Sequence, residues 1–319
     1  MAITRRNLLK ASACTGALLA CGSSAQAARE AAMPAGALGI LYDSSLCIGC
    51  QACMVGCKQA NDMEPDPEGG QTIWDNPADL SSRTLTVIKK YEEGKARTRN
   101  QTKDGFAFVK LQCMHCADPA CVSACPVSAM TKDAETGIVS YNKKACIGCR
   151  YCQIACPYNI PKFEWHKPLP QIVKCELCRH LIAKGGISAC CASCPTGASL
   201  FGPVELLKEE AHRRLLYEAG HYYEFPLHDI RSGRSVVQPA ALYKQKLYGE
   251  KELGGSQVML LSAVDFHHLG MPELPDKSYA STTETIQHTL YKGMFLPVAL
   301  LGGLVYFVKK NAEKLHDDE

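Results

Sequence analysis

No signature of a self-sufficient catalyst runs through this sequence. It has no P-loop, no dinucleotide-binding glycine fingerprint, no HExxH helix and no nucleophile elbow, so the commonest phosphoryl-transfer, hydride-transfer, metalloprotease and acyl-transfer chemistries lack their groups. A charge bias is missing as well. Lys and Arg number 35 against 32 Asp and Glu, and the formal net charge of +3 offers no footing for nucleic acid or for a strongly acidic partner. Attached haem is excluded by pattern, because Cys113-Met114-His115-Cys116-Ala117 and Cys175-x2-Cys178-Arg179-His180 both miss C-x-x-C-H. No acidic residue precedes Glu30, and no charge interrupts Gly293 to Val308. What remains is an ordinary globular composition, 46% hydrophobic and 21% charged over 319 residues, with one excess: 19 cysteines.

The acid-free start reads as an export signal over residues 1–27. Arg5, Arg6 and Lys10 precede the apolar stretch Ala11 to Cys21, and Ala25-Gln26-Ala27 forms an A-x-A cleavage site. The run Thr4-Arg5-Arg6-Asn7-Leu8-Leu9-Lys10 has the form of a twin-arginine signal. A general secretory signal that happens to hold two arginines is the alternative, and Leu18-Leu19-Ala20-Cys21 is a poor lipobox. Cleavage would remove Cys14 and Cys21 and leave 17 cysteines. An exported protein so rich in cysteine is ordinarily a disulfide scaffold. Twin-arginine export carries folded proteins, however, and cysteines already bound to metal are not free to oxidise.

The uncharged run near the other end is 16 residues long, just under the ~17–25 of a membrane span. Leu290, Tyr291 and a snorkelling Lys292 extend it, so a span is expected over 290–308 with a tail at 309–319. Lys309, Lys310 and Lys314 place that tail in the cytoplasm and the main domain in the periplasm. Pro297 is tolerable there, and Ala299 with Gly303 forms a small-residue face for another helix. A helix buried in the globular core is the competing reading.

Between these ends the cysteines form four repeating groups. They are Cys47-x2-Cys50-x2-Cys53-x3-Cys57, Cys113-x2-Cys116-x4-Cys121-x3-Cys125-Pro126, Cys146-x2-Cys149-x2-Cys152-x3-Cys156-Pro157, and Cys175-x2-Cys178 followed by Cys190-x3-Cys194-Pro195. Groups one and three share CIGC, and groups two and four share a widened middle, which reads as duplication of a two-cluster unit. Cysteines at this spacing reach separate irons of one cubane. The last, expected at the start of a helix leading away, ligates the other cluster of the pair. Lys58 stands where the other groups have proline. Zinc competes for paired C-x2-C units, but it needs only four ligands and does not require the third cysteine or the Cys-Pro ending. Sixteen ligands are required for four cubanes and 17 thiols remain; Cys190 keeps the x3 spacing to Cys194, while Cys191 competes for the same role.

These groups resemble the four-cluster iron–sulfur subunits of periplasm-facing respiratory complexes, related to those of formate dehydrogenase and dimethyl-sulfoxide reductase. Leu41-Tyr42-Asp43, QCMHCADPACVSACPVSA at 112–129, GCRYCQIACPYNIPKFEW at 148–165, LYGEKELGGSQV at 247–258 and IQHTLYKGM at 286–294 are similar to the HybA-type subunits of membrane-bound nickel–iron hydrogenase 2. The resemblance implies that groups one and four pair, as do two and three. Set A would comprise Cys47, Cys50, Cys53 and Cys194; set B, Cys175, Cys178, Cys190 and Cys57. Set C would comprise Cys113, Cys116, Cys121 and Cys156; set D, Cys146, Cys149, Cys152 and Cys125. It also implies four 4Fe–4S clusters, a catalytic site on the small and large subunits of a partner hydrogenase, and a quinone-reactive integral membrane partner. The corresponding subunit of a formate dehydrogenase or another molybdoenzyme is the alternative.

The expected fold is α+β: a duplicated ferredoxin-like region over 28–200 with an insertion at 58–105 that reads as a surface loop with some local structure, a bracing extension at 201–285, and one transmembrane helix. Strands are expected at Phe106–Leu111, Gly137–Tyr141 and Gln257–Val264, and a helix at Pro203–Glu218 with Leu206, Leu207, Leu215 and Leu216 on one face. Lys110, His115, Arg150 and Lys174 adjoin the thiols and are candidates for tuning potentials. Elemental analysis of anaerobically purified protein is expected to give about sixteen irons per chain. A reduced sample should show a paramagnetic resonance spectrum; a silent zinc protein would sink this reading.

Overall fold

The computed structural model describes residues 33–66 and 72–317, without the side chains of Asp75, Phe295 and residues 311–317. The export signal expected at 1–27 lies outside the described residues. The first half contains β1 (Leu38–Asp43), α1 (Ala52–Ala60), β2 (Val87–Glu92), β3 (Thr98–Arg99), β4 (Gly105–Leu111), α2 (Ala120–Ser123), β5 (Met130–Lys132), β6 (Val139–Tyr141) and α3 (Tyr151–Ala155). There follow β7 (Lys162–Phe163), β8 (Ile172–Val173), α4 (Arg179–Ile182), α5 (Ala189–Ala192), β9 (Ser199–Pro203), α6 (Val204–Leu215), β10 (Tyr222–Pro226), β11 (Ser235–Pro239), β12 (Val258–Leu261) and α7 (Tyr279–Asp317). Helices and strands are thus mixed and mostly short.

The core is built on β1. This strand lies between β12, which runs parallel to it, and β9, which runs antiparallel. Ile40 is in register with both Val258 and Phe201, and Leu41, Leu200, Met259 and Leu261 are completely buried around it. A strand covered on both faces reads as a continuous apolar run, as LGILY does here. The segment after the last cysteine therefore shares this core, because it supplies β12. A second sheet, in the order β2-β4-β3, meets the first where the Tyr42 hydroxyl and Ser44 Oγ both donate to the Phe108 carbonyl, at 3.0 and 2.6 Å.

The local structure expected in the insertion includes a strand. β2 pairs along β4 from Val87↔Leu111 to Glu92↔Phe106, with Val87 and Ile88 buried. Gly, Pro, Asp and Asn nearby mask this β-branched pair in a composition-based reading. The strands expected at 106–111, 137–141 and 257–264 are present as β4, β6 and β12.

The helix expected at 203–218 is α6, but its buried face differs. Val204, Leu207, Glu210, Ala211 and Arg214 point inward, whereas Leu216 is 83% exposed. The reason is ionic. Arg214, fully buried, donates from Nη1 to Asp43 Oδ2 at 3.0 Å and from Nε to Glu210 Oε1 at 2.7 Å. Tyr243 and Ser45 hydroxyls donate to the remaining Asp43 lone pairs at 2.7 and 2.6 Å. This network ties α6 to the end of β1, four residues before Cys47.

The C-terminal segment from Ser281 is a compact unit apart from the body that ends at Ala280. α7, which starts at Tyr279, runs well beyond the expected 290–308, and its stretch Tyr279–Lys310 is long and apolar enough to cross a membrane. Thirty-two residues span about 48 Å, more than the ~30 Å hydrocarbon thickness, so its polar first turns would project into water. In those turns Thr285 Oγ1 and Thr289 Oγ1 donate back to the carbonyls of Ser281 and Thr285.

Arg214→Met would strand two buried carboxylates, and a loss of about 3–5 kcal/mol is expected. Arg213→Met, half exposed on the same helix, should change stability by less than about 1 kcal/mol. Paired denaturation curves of the two variants check the difference.

Candidate iron–sulfur site

The four cysteine groups repeat one local geometry. In each C-x2-C turn the residue before the second cysteine is left-handed: Gly49 (φ 70°), His115 (φ 48°), Gly148 (φ 73°) and Leu177 (φ 53°). This conformation curls the chain over its own first thiol, and the backbone N–H groups of Gly49, Gly148 and Leu177 donate to Cys47, Cys146 and Cys175 Sγ at 3.5, 3.4 and 3.4 Å. Glycine takes it freely; His115 and Leu177 hold it at a cost of order 1–3 kcal/mol each, a pattern typical of functional turns. A Cβ at Gly49 would also fall 2.4 Å from the Phe108 ring.

The third cysteine of each group lies in a short helix: Cys53 in α1, Cys121 in α2, Cys152 in α3 and Cys190 in α5. The fourth does not open a departing helix, as the spacing had predicted, but closes this one. Cys156 caps α3, and Cys125 and Cys194 follow α2 and α5 by two residues. The proline after each disfavours helical geometry at the cysteine and ends the helix. Where Lys58 replaces proline, α1 continues through Cys57 to Ala60. The helices pack in pairs, α1 with α5 and α2 with α3. Gly56 allows the first contact, since a Cβ there would meet Ser193 Oγ at 2.1 Å.

This packing gathers the thiols. Burial raises Cys47, and Cys194 and Cys50 raise it further. Burial pushes Cys53 up to about 12, with Cys190, Cys47 and Cys194 contributing. Cys57 is raised by burial, then by Cys190 and Cys178; Cys175 by burial, then by Cys113, Cys57, Cys178 and Cys190. Cys116 rises by burial and through Cys113, Cys121 and Cys156, while Cys152 reaches about 11 by burial and through Cys125, Cys146 and Cys149. The thiol acting on Cys57, Cys175 and Cys178 is that of Cys190. Charge also acts between the groups: Cys190 raises Cys53, Cys113 raises Cys175 and Cys152 raises Cys121.

Such thiols are poor nucleophiles, being dry and mutually repelled. The chemistry that suits them is metal ligation, which takes the thiolate outright. The grouping is clearest at set B, where Cys57, Cys175, Cys178 and Cys190 all line one hollow. Among the described residues no three His, Cys, Asp or Glu side chains are arranged around a single-ion position. Four sulfurs on one zinc would lie ~2.3 Å from it, whereas a cubane offers each thiolate a separate iron. All 17 described cysteines are free thiols.

Two lysines are buried among the sets. Lys110 Nζ donates to Ser199 Oγ at 3.2 Å. Burial opposes its charge, but Cys190, Cys191 and Cys53 hold the ammonium up, between sets A and B. Lys174 donates to the Cys175 carbonyl at 2.9 Å and to that of Val139, and its charge reaches Cys121 and Cys156. Buried His115 accepts from the Val139 N–H at Nδ1, 3.1 Å away; burial, with Lys174 and Lys132, holds its pKa well below the usual imidazole range. Arg150 instead stacks at the surface over Phe163 and Trp165. The sequence reading missed two tyrosines. Tyr42 and Tyr141 each precede a CIGC by the same interval and place a hydroxyl against Cys47 and Cys146. Their signal was available: Y-x4-C-I-G-C occurs twice.

Residues 105–204 match the family model described as a 4Fe-4S dicluster domain. The chain is 46% identical to the hydrogenase-2 operon protein HybA of Shigella flexneri over 99% of its own length and 98% of that protein's. It is 33% identical to the iron-sulfur subunit of the nitrate-inducible formate dehydrogenase of Shigella flexneri, covering 84% and 81% of the two chains. With the formate dehydrogenase iron-sulfur subunit of Haemophilus influenzae the identity is 34%, over 83% and 76%. Cysteine spacing, thiol grouping and near-complete alignment agree: the chain belongs to the HybA family of ferredoxin-type iron–sulfur electron-transfer subunits.

Proposed function

We propose that the chain is a four-station electron relay serving a nickel–iron hydrogenase, with sets A to D each holding one 4Fe–4S cluster. The observation that carries this reading is the run of electrostatic influences from Cys190 on Cys53, Cys113 on Cys175 and Cys152 on Cys121, which supports the order A, B, C, D. When bound, each cluster supplies a one-electron couple. The protein's own work is to hold the stations in sequence, exclude water and supply charge. At set B all four cysteines are buried. At the ends access is greater: Cys50 of set A is exposed, and Ile147 and Ile154 beside set D are 65% and 83% exposed. Electrons would pass between the small and large subunits of the hydrogenase and a quinone-reactive integral membrane partner.

The name of the 46% identical relative supports hydrogenase as the partner. The formate dehydrogenase subunits share less identity and align over less of the chain. The apolar helix and the lysines at 309 and 310 support a single-pass anchor with its C-terminus in the cytoplasm and the body in the periplasm. The twin-arginine signal supports the same placement.

Ligand identity is tested by comparing two adjacent serine variants. Cys191→Ser is expected to retain about sixteen irons, and Cys190→Ser to lose iron or convert one cluster. Equal loss from both would overturn the assignment. Lys110→Met should lower the potentials of two stations, those of sets A and B. A shift near a tenfold change in reduction ratio, ~59 mV for one electron, is expected in a redox titration followed by paramagnetic resonance; movement of none or all four would contradict the placement.

A further inference from the structure

Set B's hollow contains two polar groups for which the protein provides no partner. Thr86 and Gln112 are 2% and 4% exposed, and Thr86 Oγ1 and Gln112 Nε2 are buried without a hydrogen bond. Both residues line the hollow bounded by Cys57, Cys175, Cys178 and Cys190. Their placement is built into the second sheet. β2 and β4 pair with Val87 opposite Leu111, and the next positions in that register are Thr86 and Gln112. The two side chains thus enter from the end of one ladder, next to buried Val87.

Other polar groups in the hollow already serve the thiols. Asn61 Nδ2 lies 3.7 Å from Cys57 Sγ, and Ser188 Oγ lies 3.9 Å from Cys190 Sγ. Gln112 Oε1 is 4.0 Å from Cys190 Sγ, an arrangement that suits a protonated thiol. Against a thiolate the amide would turn and present Nε2, so in either orientation it offers a donor to the hollow. A dry donor left unpaired is costly, and a pair of them at one cavity calls for an acceptor inside it. The acceptor must be compact, anionic and surrounded by four cysteines.

We propose that Thr86 and Gln112 donate hydrogen bonds to the sulfurs of the cluster held by set B and thereby raise its potential. Donors aimed at cluster sulfur stabilise the more negative, reduced state. Set B lies second in the line, so these two side chains set the height of an interior step rather than of an end that meets a partner. Gln112 also immediately precedes Cys113 of set C, which places this control where the two halves of the line join. The inference rests on the relay reading above.

The test is a redox titration of the anaerobically purified full chain, followed by paramagnetic resonance, in Thr86→Val, Gln112→Leu and the double variant. One wave of the four should move to lower potential in each. In the double variant its reduced-to-oxidised ratio at fixed potential should fall at least tenfold, about 59 mV for one electron. Iron content should stay unchanged, and Thr86→Ser should leave the wave in place. Unmoved waves with full iron overturn the inference and leave the relay intact. If Gln112→Leu fails to load iron, Thr86→Val, which preserves shape, decides alone. Wild-type protein without iron would overturn the relay itself, so the two failures are distinct.

Discussion

Thiols brought together out of water repel one another as soon as they ionise, and the architecture is organised around that repulsion. Buried Cys175 feels desolvation first and then the charges of Cys113, Cys57, Cys178 and Cys190. Water cannot relieve this. Lys110 and Lys174, themselves buried, offset part of it, and the rest calls for cations at the centre of each set. Iron in a cubane meets the need because each thiolate takes its own metal. Without such a centre the interior is a collection of mutually destabilising groups; with one it becomes the most strongly bonded part of the fold.

The rest of the structure serves this constraint by controlling the backbone at short range. A left-handed residue in each C-x2-C turn bends N–H groups toward the first sulfur, and a helix of one or two turns carries the third cysteine to the same side. None of these helices is long enough to be stable alone. They are held by packing on one another and by the sheet around β1, whose end is pinned through Asp43 and Arg214. That buried ion pair sits just ahead of Cys47. It joins the support of set A to α6, an element far along the chain.

The proposed line of four stations also bears on how burial is distributed. All four cysteines of set B are buried, which keeps solvent from coupling to its change of charge, while sets A and D approach the surface beside aliphatic side chains such as Ile48 and Ile147. Under the proposed relay those ends meet partners and the middle meets none. Polar groups facing the middle, Lys110 above all, therefore act on potential rather than on recognition.

The C-x2-C turns and the apolar C-terminal run were legible from the chain alone because they are local, whereas the spacing put the fourth cysteine at the start of a departing helix and ended the C-terminal helix at 308. The same locality made Y-x4-C-I-G-C readable, although it was overlooked. The strand Val87–Glu92 was hidden by a polar, Gly- and Pro-containing surround, and the inward face of α6 by Glu210 and Arg214, which no periodicity rule places in a core. Only the tertiary structure decided that Asp43 would be their partner, that Lys110 would lie between two thiol sets, and that Thr86 and Gln112 would share a hollow with four cysteines. Each of those outcomes depends on the low dielectric and close packing produced when distant segments meet, and no run of adjacent residues carries that information.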